Sequence, residues 1–185
     1  MSGTATNVTA GKPNNNGAAF SAPVGSTLPT DAITALDTAF TDLGFLSEDG
    51  LTRSRSLSST TIKEWGGLPV LITDDEDITT FKFKLIEYLN TDVQKVINGD
   101  DNVTGTLATG LAIQPGDMQE RAFVFWQRMR GGVSHRIVVP RGKITEVGDV
   151  VFKSNEAVAY DVTVTAMNDG NKKPYYEYAQ TVTEE

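Results

Sequence analysis

The sequence has no cysteine, one histidine and no long apolar run. Without cysteine there is no disulfide framework, no thiolate metal site and no thiol nucleophile. The lone His135 excludes His-rich metal sites and the paired histidines of zinc proteases. No segment approaches the ~18 apolar residues of a membrane span, and the N-terminus lacks the charged-then-apolar pattern of a secretion signal. The chain is therefore expected to be soluble, without membrane insertion, and poorly equipped for most catalysis. What is present is a chain of 185 residues, 39% of them hydrophobic. That is enough for one ordinary domain with its own core, plus a tail.

Acids outnumber bases 24 to 16, for a net charge of −8. Gripping nucleic acid rests on clustered Lys and Arg, so this balance argues against such a surface. The charge is uneven. Residues 56–105 hold nine acids against four bases, with Asp74-Asp75-Glu76-Asp77 as the extreme. Arg121, Arg128, Arg130, Arg136, Arg141 and Lys143 form a basic stretch with no acid after Glu120. Opposite poles suit head-to-tail association of copies. Two solvated loops with scattered charge are the plainer reading of the charge by itself.

Residues 1–30 are different material. Twenty-four of them are Ser, Gly, Thr, Ala, Asn or Pro, and Lys12 is their only charge. Pro13, Pro23 and Pro29 sustain neither helix nor central strand. A flexible polar arm, disordered in the isolated chain, is expected here. Val8, Phe20, Val24 and Leu28 are the residues that could anchor it on a neighbouring subunit. The domain proper is expected over residues 31–185.

Thr30 can cap a helix, and Ile33, Leu36, Phe40 and Leu43 recur at helical spacing before Gly44, which predicts a short helix over 31–43. After residue 55 the period becomes two. Strands are predicted at 60–65 and 68–73, then at 78–85, where Phe81, Phe83 and Leu85 alternate with Thr80, Lys82 and Lys84. Residues 74–77 read as an acidic turn between the last two. Asn90 caps a second helix through Val93, Val96 and Ile97, ended by Gly99. Further strands are expected near 107–113, at 121–129, 134–139 and 157–167, and at the edge over 175–181. The fold class is mainly β: an antiparallel β-sandwich or barrel carrying two short helices.

No constellation marks an active site. Asp74–Asp77 lacks the ligand spacing and the glycine of an EF-hand loop. Ser134 and His135 are adjacent in a predicted strand and face opposite sides, so they cannot form a nucleophile–base pair. No phosphate-binding loop precedes a lysine. A carboxylate pair of the glycosidase kind has no sequence signature, and nothing singles one out. Trp65, Trp126 and Tyr175-Tyr176 could stack on sugars, which keeps a carbohydrate-binding sandwich open as an alternative. No enzyme activity, cofactor or metal is expected.

Two stretches carry a resemblance. The first is Asp42-Leu43-Gly44-Phe45-Leu46-Ser47-Glu48-Asp49-Gly50-Leu51, followed by Thr61-Ile62-Lys63-Glu64-Trp65-Gly66-Gly67. The second runs from Gly131-Gly132 through Arg136-Ile137-Val138-Val139-Pro140 and Ile144-Thr145-Glu146-Val147-Gly148-Asp149-Val150 to the segment 157–166. In this order, over about residues 30–180, the chain resembles the major tail tube proteins of long, flexible-tailed bacteriophages, especially those of actinobacteria. The resemblance implies a structural virion protein, present in the host cytoplasm during assembly. Its copies would form stacked, hexameric rings in which one sheet per subunit joins a barrel around a lumen. It also implies tape measure, tail terminator and tail tip proteins as partners, with double-stranded DNA as a transient passenger. A tube subunit of a contractile tail or secretion machine shares this architecture. On this reading Asp74, Asp75, Glu76 and Asp77 and the basic Arg128, Arg130, Arg136, Arg141 and Lys143 are candidate contacts between subunits or rings. Lys82 and Lys84 are expected to pair across a subunit interface.

Overall fold

The computed structural model describes residue 4, residues 8–14 and residues 17–182. Its strands are β1 (Gly11–Pro13), β2 (Ala19–Pro23), β3 (Thr41–Asp42), β4 (Leu46–Lys63), β5 (Pro69–Leu85), β6 (Val103–Thr104), β7 (Ala112–Ile113), β8 (Arg121–Met129), β9 (Val133–Val147), β10 (Tyr160–Ala166) and β11 (Tyr176–Thr181). The one α-helix among the described residues, α1 (Thr91–Asn98), follows β5 and leads into a single 3-10 turn at Asp100–Asn102.

The main sheet runs β3-β2-β8-β9-β10-β5-β4, with β1 also on β8 and β11 also on β9. All of these pairs are antiparallel. The long β9 folds this sheet over on itself. Its residues 133–138 pair with both β8 and β11, and its residues 142–147 pair with β10. One layer is thus β3, β2 with β1, β8, the first half of β9 and β11; the other is the second half of β9, β10, β5 and β4. The corner needs Gly142, because a Cβ there would lie 2.8 Å from Val164 and 3.0 Å from Phe123.

The core sits between the layers. Phe81 and Phe83 of β5 meet Phe125 of β8 at centroid distances of 5.4 and 5.1 Å. Val162 and Val164, Ile137 and Val139, and Val93, Val96 and Ile97 of α1 complete it. The alternating residues of β8, Ala122, Val124 and Trp126, enter a second apolar cluster on the opposite face, with Phe20 and Phe40. Burial on both faces explains why 122–126 reads as an unbroken apolar run.

Helix α1 forms where the spacing placed it. The Asn90 side chain accepts a hydrogen bond from the Asp92 N–H, and Gly99 ends the helix at φ +90°. The helix predicted over 31–43 does not form; the segment is an irregular strap across the second cluster that ends in β3. Its apolar residues serve two cores, since Leu36 and Phe40 pack on the outer cluster while Leu43 enters the inter-layer core. Side-chain turns compete with the helix: the Asp31 carboxylate accepts from the N–H groups of Ile33 and Thr34, and Asp37 accepts from Ala39.

Three other expectations change. Residues 74–77 are not a turn but lie within β5, opposite Leu57, Ser58 and Ser59, where the register slips by a β-bulge between Ser58 and Ser59. The strand near 107–113 shrinks to Ala112–Ile113, paired with Val103–Thr104. The polar N-terminal segment contributes two strands: Gly11–Pro13 and Ala19–Pro23 both pair with β8. These two stretches are part of the sheet, within a segment expected to be a flexible arm; residues 1–3, 5–7 and 15–16 of that arm lie outside the described residues. Small residues fit β2 there, since Ala19, Ser21 and Ala22 are fully buried.

Candidate assembly surfaces

Strands β4 and β5 form a hairpin much longer than the sandwich that holds it. Only Leu46, Leu51, Phe81, Phe83 and Leu85 reach the inter-layer core. From Arg53 outward on β4, and from Ile78 back to Pro69 on β5, almost every residue is exposed. A two-stranded ribbon is marginal in water without a third element against it. This one also carries uncovered apolar side chains on both faces: Leu57 and Ile72 on one, Ile62, Leu71 and Ile78 on the other. A patch of this kind marks a protein interface. The ribbon's internal support is polar. Arg55 Nε and Nη2 donate to both carboxylate oxygens of Asp77, at 2.8 and 2.6 Å. That fork holds Asp77 below its ordinary pKa. Thr60 Oγ1 donates to Asp75.

At its root the ribbon is tied to the other layer. Arg53 Nη1 donates to Glu177 Oε2 at 2.6 Å, and Glu177 Oε1 lies 2.8 Å from His135 Nε2. The Arg53 guanidinium also rests 5.2 Å from the Tyr175 ring centroid. Burial pushes the Glu177 carboxyl upward, but hydrogen bonds from Arg53 and His135 outweigh it and leave the group below its usual range. The only histidine is therefore a buried member of this tie.

The outward face of the β9–β10–β5–β4 layer is polar and open. Cross-strand rows run Ser54–Thr80–Thr165–Lys143 and Thr52–Lys82–Thr163–Glu146, with Asp161 opposite Lys84. Lys82 Nζ pairs with Asp161 at 3.3 Å within the chain, where a partner on another subunit was expected. Both edges of the layer are unpaired among the described residues: β4 bonds only to β5, and residues 143–147 of β9 bond only to β10.

The basic residues separate into different roles. Arg136 is fully buried, so it is not a surface contact of the folded subunit. Its Nη1 and Nη2 donate to the carbonyls of Asp31 and Thr34 at 3.0 and 2.9 Å, and it lies 4.0 Å over the Trp126 ring. It fastens the strap to the sheet, and burial lowers its pKa. Arg141 forks onto Glu120 at 2.6 and 3.1 Å and lowers that carboxyl's pKa. Arg130 and Lys143 are exposed, and Arg128 is half-buried. Of the arm anchors, Phe20 is buried in its own chain's outer cluster and Leu28 packs beside it, while Val24 stays exposed. Val8 is exposed as well.

A second apolar surface lies at the other end of β5. The loop 86–90 that follows the strand, with Leu107, Phe152 and Val158, lines an open groove of about 770 Å³. Tyr88 forms its floor, stacked on Tyr160 at 5.1 Å and edge-on to Phe152 at 5.6 Å. Sequence reasoning missed this groove and the ribbon's apolar faces. Leu68-Pro69-Val70-Leu71-Ile72 was the available signal, an apolar run on a strand with no element assigned to cover it.

Among the described residues, no three His, Asp or Glu side chains gather into a metal site, and no helix is long and apolar enough to cross a membrane. The phage tail tube protein family model matches residues 5–184, and the chain belongs to that family. It is thus a structural tail protein. No curated protein matches it. Among solved structures it is similar to a chain of the anti-feeding prophage cap, the AFP tube terminating cap determined by cryo-electron microscopy. That likeness has 10% identity and a TM-score of 0.42, covering 92% of this chain and 93% of the other.

Proposed function

We propose that the chain is the major tail tube subunit of a long, flexible-tailed phage. Its copies close into rings, six to a ring, and the rings stack into the conduit for genome passage. The observation that carries this reading is the β4–β5 ribbon, whose apolar faces its own chain leaves bare and another copy of a self-assembling chain would cover. Its open polar layer supports ring closure. Four antiparallel strands per copy put β4 of one copy beside residues 143–147 of the next, again antiparallel, so closure removes both free edges. Tape measure, terminator and tip proteins are the expected partners at the tube's interior and ends. The exposed Asp74, Asp75, Glu76, Arg130 and Lys143 remain candidate contacts between copies.

Negative-stain microscopy and light scattering of the purified chain test the proposal. Rings or tubes with an open centre are expected as concentration rises. A strictly monomeric species at every concentration and salt, alone or with tail-end proteins, refutes it.

A further inference from the structure

The hairpin tip and the groove lie at opposite ends of one strand. β5 begins just after the tip, 64–68, and ends just before the groove loop, 86–90. At about 3.3 Å per residue, the 17 residues between them span roughly 55 Å, so a chain cannot fill its own groove. The tip itself is built rather than frayed. The Glu64 N–H donates to the Leu68 carbonyl at 2.9 Å, the Gly67 N–H to the Glu64 carbonyl at 2.8 Å, and the Leu68 N–H to the Glu64 side chain at 3.3 Å. Gly67 takes φ +90°, which a side chain would resist. This frame holds Trp65 entirely in solvent, at 105% relative exposure, with Leu68 at 68%. An indole on a rigid turn is the kind of anchor that dominates interface energy when it finds an apolar pocket.

We infer that the groove of Tyr88, Leu89, Leu107, Phe152 and Val158 is the socket for the Trp65 tip of a second copy of this chain. The occupant is argued from complementarity. The tip offers Trp65 and Leu68, and the groove offers exposed Leu89, Leu107 and Phe152, at 56%, 62% and 69%. Charge does not oppose the fit: Lys63 and Glu64 leave the tip without net charge, and the Glu87 carboxylate in the groove wall is already held by the Phe45 N–H and Asn90 Nδ2. Donor and socket are different surfaces on the same molecule, so the contact is heterologous and repeats along the strand direction without closing. It extends the tube reading, on which it rests, by placing the ring-to-ring contact at named residues.

The cysteine-free chain allows a direct test. Leu68→Cys and Leu107→Cys are introduced singly and together, and assembled protein is oxidised with diamide. A single cysteine links no more than two chains. The double variant gives a ladder well beyond dimer if the tip of each copy sits in the groove of the next. A double variant that forms tubes yet shows nothing above dimer overturns the socket and leaves the tube reading standing. A wild-type chain that forms neither rings nor tubes overturns both. As a second measurement, Trp65→Ser and Phe152→Ser, each on exposed side chains, are expected to give rings with loss of tubes. Tubes of wild-type length from both variants overturn the socket.

Discussion

Replacing Arg136 with Met is expected to destabilise the monomer rather than to weaken contacts between copies. The guanidinium makes two hydrogen bonds to strap carbonyls, at 3.0 and 2.9 Å. Hydrogen bonds to a charged group contribute about 1.5–3 kcal/mol each. The stack on Trp126, 4.0 Å to the ring centroid, adds ~2 kcal/mol for a desolvated pair. Against these stands the cost of removing the charge from water, several kcal/mol for a buried ion. Burial lowers the Arg136 pKa, and Asp31, 3.7 Å away, restores only part. Met removes both sides of that balance while keeping most of the volume. The expected net loss is about 2–4 kcal/mol, or a fall of roughly 1–2 M in the urea midpoint at a slope typical of a domain this size. The assay is urea unfolding followed by circular dichroism, at concentrations where wild type and variant are both monomeric. Arg136→Lys should recover little, because one ammonium cannot reproduce the planar fork across two carbonyls. A Met variant within about 0.5 kcal/mol of wild type, the range of ordinary surface changes, refutes the strap-fastening role.

The ribbon's apolar residues should show the opposite separation. Leu57→Lys with Ile72→Lys is expected to abolish assembly in micrographs while shifting monomer stability by no more than about 0.5 kcal/mol, since both sites are exposed. Asn90→Ala removes the α1 cap and should cost about 1 kcal/mol in the same urea assay. The pH dependence has a defined sign. Asp77, Glu120 and Glu177 have folded pKa values below their ordinary ones, so near those values the unfolded chain binds more protons. Their contribution is complete above the unfolded carboxylate range and is lost as pH falls through the lower folded values. Asp42 runs the other way: burial, then the nearby Glu87 charge, raises its pKa, and its contribution is lost as pH rises. Asp42→Asn should therefore raise the melting temperature at neutral pH and not at acid pH.

Local chemistry was readable where it decided the outcome. The Asn90 cap, the Val93, Val96 and Ile97 stripe and the Gly99 stop act within ten residues of one another, and α1 forms there. The alternation of Phe81, Phe83 and Leu85 needed only one covered face, and it has one. The strap failed as a helix because its stabilising partners are about a hundred residues away. Arg136 takes the Asp31 and Thr34 carbonyls, and Ser134 Oγ takes that of Ala32 at 2.6 Å. Consecutive acids at 74–77 read as a turn because nothing local says that Arg55, diagonally across the hairpin, will fork onto Asp77. The assembly surfaces were harder still. A strand's sequence shows which residues are apolar, but not that its own chain leaves them bare.

In the ring closure proposed above, we assign the open polar face of the β9–β10–β5–β4 layer to the lumen, and it gives the charge argument its sharpest form. Most of the acidic excess lies elsewhere, on the ribbon and around α1. The layer itself shows hydroxyls, three lysines (Lys82, Lys84 and Lys143) and two acids, Asp161 and Glu146. Such a wall is not strongly repulsive to DNA. On the proposed tube it would not grip the duplex, because Lys82 stands 3.3 Å from Asp161 and Lys84 lies opposite that same residue in the register. A paired lysine has less to gain from a phosphate and releases fewer counterions. Asp161→Asn keeps the shape of the wall and removes one negative charge per copy, repeated around every ring. Assembled variant tubes should then retain short linear duplexes at low salt and release them as salt rises, while wild-type tubes retain little. Sedimentation of tubes with labelled duplex measures this directly. Equal retention by variant and wild type at low salt refutes the assignment of this face to the lumen.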